Sequence, residues 1–133
     1  MLAVLRNKLM ADTALQTLIV SVYQGQGPQG AIDREKGYVV LTQISGNPHN
    51  HLGGAATSQI ARVQVDSWGR SKTQARQIAD RCKAVLSGLR DLATTPRVDM
   101  AHLTSETDGL ESPQDGSSNA AHRVSQDYHV DYH

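Results

Sequence analysis

The chain has 133 residues, the length of one domain, and sets 13 Lys and Arg against 13 Asp and Glu, for a formal net charge of zero. That balance argues against a general nucleic-acid binder, the single cysteine excludes an intrachain disulfide scaffold, and no apolar run approaches the ~20 residues of a membrane-spanning helix. With no Phe, one Trp and four Tyr, the core must be aliphatic, and the supply of Leu, Val and Ile excludes a long disordered chain.

Leu2, Leu5 and Leu9 fall at i, i+3 and i+7 and predict a helix over 1–18, with Asp12-Thr13 marking either its end or a second short turn. Ile19 to Tyr23 is β-branched and reads as a short strand. The apolar stretch from Thr13 to Tyr23 has signal-peptide length, but Asp12 precedes it and no small-residue cleavage site follows, so cytoplasmic synthesis is expected. Gly25, Gly27, Pro28 and Gly30 announce a loop that the charged run from Asp33 to Gly37 continues. Tyr38 to Ser45 predicts a strand, ended by Gly46-Asn47-Pro48, and a second strand follows from Thr57 to Trp68. In that strand Ala61, Val63, Val65 and Ser67 point one way and Arg62, Gln64 and Asp66 the other, so one sheet face is wet.

Ser71 is a good N-cap for a helix from Lys72 to Leu89, with Ala75, Ile78, Ala79, Cys82, Val85, Leu86 and Leu89 on one face. Arg97 to Ser105 reads as a strand, and the polar stretch to Asn119 as a long loop. His122 to Tyr132 alternates, with Val124, Gln126, Tyr128, Val130 and Tyr132 on one face. The expectation is a single α+β domain over 1–133, with two main helices packed on one face of a small, largely antiparallel sheet. Mobile loops are expected at about 24–37, 46–56 and 105–119. The neutral balance hides an asymmetry: residues 1–90 hold 11 basic against 5 acidic groups, and residues 91–133 hold 2 against 8. The two parts can attract each other within one fold or between copies.

Catalytic signals are weak. Cys82 falls among apolar helix-face residues, where a thiol is inert, and no G-x-S-x-G elbow occurs. Gly25 to Gly30 matches G-x-G-x-x-G, but no helix follows it. Of the six histidines, His49 and His51 share a loop, and His129 and His133 share a strand face. None has the spacing of a zinc site, and Cys82 faces the core, so no metal ligand and no cofactor is assigned. Trp68, at the strand-to-helix corner, is either a core anchor or an anchor for a subunit contact.

Taken in order, Pro28-Gln29-Gly30-Ala31, Tyr38 to Gly46, Ala61 to Trp68, the helix with Ala75, Ala79 and Val85, and His122 to Tyr128 form a pattern. It resembles the tail-completion, or tail-terminator, family of long-tailed phages, related prophages and gene-transfer particles. The resemblance runs over most of the chain. It implies a structural virion protein at the tail–head junction, a homo-oligomeric ring, commonly of six copies, that caps the head-proximal end of the tail tube. It implies the tail-tube protein and a head connector or stopper protein as partners, with DNA passing through the channel without specific binding. It carries no catalytic residue, which points away from an enzyme. Interface candidates are Arg62, Asp66 and Trp68 on the second long strand, His49, Asn50, His51 and Leu52 in the hairpin loop, and Asp108 and Glu111 in the acidic stretch. The charged run at Asp33 to Gly37 and the polar run at Asn47 to Gly53 depart from the family pattern, and both are loop differences. Alternatives are another connector protein, an adaptor or stopper, or a metal-dependent binding module or small hydrolase using His49, His51 and the C-terminal histidines.

Overall fold

A computed structural model of the chain describes residues 1–25, 36–51, 54–93, 97–111 and 121–132. In chain order its elements are α1 (Leu2–Met10), α2 (Thr13–Gln16), β1 (Ile19–Gln24), β2 (Gly37–His51), β3 (Gly54–Gly69), α3 (Lys72–Leu86), β4 (Val98–Glu111) and β5 (Ala121–Tyr132). The strands form one five-stranded sheet in the order β1-β2-β3-β5-β4. β1 joins β2 in parallel, and every other pairing is antiparallel. The expected α+β layer is therefore present, with a single parallel edge.

Several expected boundaries move, each for a local reason. The N-terminal helix stops at Met10, not at 18, because Asp12 begins a new turn: its side chain accepts a hydrogen bond from the Leu15 amide at 3.2 Å and caps α2. The loop expected at 46–56 is strand on both arms, paired from Gly46↔Ala61 out to His51↔Gly54. Gly46-Asn47-Pro48 does not end β2, because a register shift between Pro48 and Asn50 accommodates the proline, which has no N–H to offer the ladder. The loop expected at 105–119 is strand as far as Glu111, where Ser105 to Glu111 pairs with Ala121 to Asp127. Its polar composition suits an edge strand, which needs no continuous apolar face. The rest of those loops, 26–35, 52–53 and 112–119, lies outside the described residues. α3 ends at Leu86, short of Leu89, because Gly88 adopts φ +79° and its amide turns to the Ala101 carbonyl at 2.7 Å.

The core fills one side of the sheet. Val39, Leu41, Val63, Val65, Tyr128 and Val130 meet Leu5 and Leu9 of α1 and Ile78, Cys82 and Leu86 of α3, all within 1% of full burial. Both main helices thus cover the same face. Gln126 is the polar exception: it is fully buried, its amide donates to the Ala79 carbonyl at 3.1 Å, and its Oε1 accepts from the Tyr128 hydroxyl at 3.2 Å. α3 is capped by Ser71, whose Oγ accepts from the Gln74 amide at 3.1 Å. It is tied to the α1–α2 corner by Arg81, which donates to both oxygens of Asp12 at 2.7 and 2.9 Å.

Two predictions follow from these contacts. At Gly37 a Cβ would stand 1.9 Å from the Trp68 carbonyl oxygen and 2.7 Å from Ile78 Cδ1, so the close approach of β2 to β3 admits only glycine. Gly37→Ala is expected to destabilise the fold by about 3 kcal/mol or more, read from urea unfolding. The Arg81 hydrogen bonds hold the Asp12 carboxyl below the usual carboxylate range. A carboxyl depressed by folding stabilises the native state above its unfolded pKa of about 3.9, and that contribution fades as pH falls through the lower folded value. Asp12→Asn is expected to flatten the fall of the urea midpoint below about pH 4.

Candidate functional site

β3 separates the helix-covered face from an open outer face, and three of the predicted residues meet on that open face. Arg62, Asp66 and Trp68 alternate with the buried Ala61, Val63, Val65 and Ser67. Trp68 does not anchor the core, as one expectation had it. It is half-buried on the outer face, because it keeps the parity of Asp66 and not that of Val65.

Register places Tyr38 on one side of Trp68 and Arg123 on the other. The Tyr38 ring lies nearly parallel to the indole, at 14° and 5.9 Å between centroids, and Tyr23 meets Tyr38 edge-on at 6.0 Å. The Arg123 guanidinium carbon sits 5.4 Å from the indole centroid. Four adjacent strands, β1, β2, β3 and β5, thus contribute one side chain each to a continuous row across the sheet. Below it Asp66 is only 9% exposed. Its carboxylate accepts from Gln64 Nε2 at 2.9 and 3.1 Å and from the Ser125 hydroxyl. Arg62, further along, donates Nη2 to Asp127 Oδ2 at 2.7 Å, and the Ser105 hydroxyl donates to the same oxygen at 3.0 Å. Both charged candidates are therefore held by partners within the subunit.

The other candidates are elsewhere. Asp108 is exposed on the α3 side of β4, 3.6 Å from Arg76 Nη1, while Arg76 also binds Glu106. It borders a cavity of about 310 Å³ lined also by Lys72, His122, Arg123 and Val124. His49, Asn50 and His51 form the last residues of β2 and Glu111 the last of β4; their side chains, and all of Leu52, lie outside the described residues. The neighbours of Trp68 were missed by the sequence reading. The alternation that contains Arg123 was visible, but its meeting with Tyr38 and Trp68 depends on strand order, which no spacing encodes.

The chemistry available here is recognition. The Cys82 thiol is fully buried on α3, and burial pushes its pKa up to about 12. Burial likewise raises the Tyr128 phenol. Among the described residues no three His, Cys, Asp or Glu side chains gather to hold a metal ion, and no helix is long and apolar enough to cross a membrane. The half-burial of Trp68 sets its weight in stability. Trp68→Ala is expected to cost about 1–2 kcal/mol, against about 2–5 kcal/mol for the fully buried Leu41→Ala, both measured by urea unfolding.

Comparisons with known proteins bear on the fold and the family. A solved chain described as part of the virion of a native gene transfer agent particle has the same fold, with a TM-score of 0.68 at 16% identity. The similarity covers 96% of this chain and 90% of that one. No curated protein matched the sequence. The family described as tail completion protein gp17 matches residues 3–132, through all five strands. The chain therefore belongs to the tail completion protein gp17 family and is a structural phage tail protein of the virion's tail–head junction.

Proposed function

We propose that the chain is one subunit of a ring that caps the head-proximal end of the tail tube and joins it to the head connector. The observation that carries this beyond family membership is the unlikeness of the two sheet edges. β1 is a six-residue edge paired in parallel and backed by α1 and α2. β4 is a fourteen-residue edge whose first residues, Val98 and Ala101, bond to the backbone of Gly88, Leu89 and Asp91, and beyond them it meets no further strand among the described residues. A ring is closed by heterologous contacts, in which each copy presents two different surfaces. Unlike edges on opposite sides of one sheet are such a pair, and an uncovered edge is a template for another chain.

In this reading the ring has about six copies, as the family resemblance implies, and its partners are the tail-tube protein and the head connector. DNA passes through the channel without specific binding, in keeping with the zero net charge. The role is mechanical and not catalytic. The test is to polymerise purified tail-tube protein with and without this chain and examine the products by electron microscopy. The expected result is shorter tubes carrying ring-shaped density at one end only. Tubes of unchanged length with bare ends would overturn the proposal.

A further inference from the structure

We infer that His102 and His129 form a two-imidazole site for a late first-row divalent ion, Zn(II), Ni(II) or Cu(II). The two residues are direct register partners in the β4–β5 pairing, so their side chains leave the sheet side by side on the outer face. Their ring centroids are 5.5 Å apart, with 62° between the planes. An imidazole that binds an ion through a nitrogen at about 2.1 Å has its ring centre about 3.2 Å from that ion. The present contact is edge-to-face; with one nitrogen of each ring turned to a shared ion, rings 5.5 Å apart would subtend about 120° there, near the tetrahedral angle that zinc prefers. Both side chains are exposed, so water can complete the coordination sphere.

The surroundings admit a cation. Arg62 is the register partner of His129 on β3, but its guanidinium is turned to Asp127 at 2.7 Å. Asp127 and Asp131 flank His129 on the same strand face, and Met100, opposite Asp131, precedes His102 on its own. The nearby charge is one cation against two carboxylates. Paired imidazoles select Zn, Ni and Cu over Mg and Ca, which prefer oxygen ligands. A bound ion would clip the edge strand β4 to β5 beside the bonds that the Thr104 and Ser105 hydroxyls donate to Asp127. The inference does not rest on ring formation.

The test uses the tag-free full chain at pH 7.5, titrated with ZnCl2 and with NiCl2 in a calorimeter and melted with and without each salt. The expected result is one ion per chain and a higher melting temperature, with neither effect from MgCl2. His102→Gln and His129→Gln should each abolish the binding and the shift, with metal-free melting close to the parent, as for ordinary surface substitutions. The double substitution His49→Ala, His51→Ala should preserve both effects. Zinc-induced shifts of the His102 and His129 ring nitrogens in NMR spectra of the parent chain give a readout that needs no variant. Absence of saturable binding, binding that survives either Gln substitution, or binding lost with His49 and His51 would overturn the inference.

Discussion

β3 is paired with β2 from Gly54 to Trp68 and with β5 from Gln59 to Gly69, and the parity of its residues is the constraint to which the other elements answer. Ala61, Val63, Val65 and Ser67 have no exposed surface, while Arg62, Gln64 and Trp68 face outward with partners of their own. A slip of one residue would turn the charged row toward the helices and the aliphatic row toward water. The register also decides where α1 and α3 can lie, since only the Val63 side offers them an apolar floor. The same register brings Tyr38 and Arg123 to Trp68 from two different strands. Burial on one face and the aromatic row on the other are therefore two readings of one alternation.

Electrostatics add a second tie. The basic first part of the chain and its acidic last part meet inside the subunit: Lys8 pairs with Asp91, Arg62 with Asp127, and Arg76 with Glu106 and Asp108. Each pair is at least partly exposed and contributes little to stability on its own. Their positions matter more, because they fasten the edge strand β4 and its approach to α1 and α3. Charge that looked available for attraction between copies is spent, among these residues, on holding one copy together.

The sequence was legible wherever one residue's environment repeats at a fixed period. The faces of β3, β5 and α3 were read correctly, down to the burial of Cys82 and the inward side of Gln126. Ser71 was a visible cap. Legibility failed where partners decide. Asp12 breaks the first helix because Arg81 and the Leu15 amide meet its carboxylate, and one of them comes from α3. Pro48 sits inside a strand because β3 lies alongside and the register shifts around it. Ser105 to Glu111 looked like loop because an exposed edge strand has no hydrophobic signature. Of the candidate residues, Arg62 and Asp66 were correctly put on one face while Trp68 was left between core and interface, and the internal partners of all three follow from strand order, which no local pattern contains.

The single tryptophan has a consequence for spectroscopy. The core is aliphatic, with Tyr128 as its only fully buried aromatic, and the lone indole lies instead on the outer face between Tyr38 and Arg123. Indole emission from this protein is thus a local signal from the open side of the sheet. A molecule that settles there and displaces the Arg123 guanidinium changes that signal while the core stays packed. A core substitution changes it only when the whole sheet gives way. The chain carries a built-in optical probe on the surface where partners are to be sought.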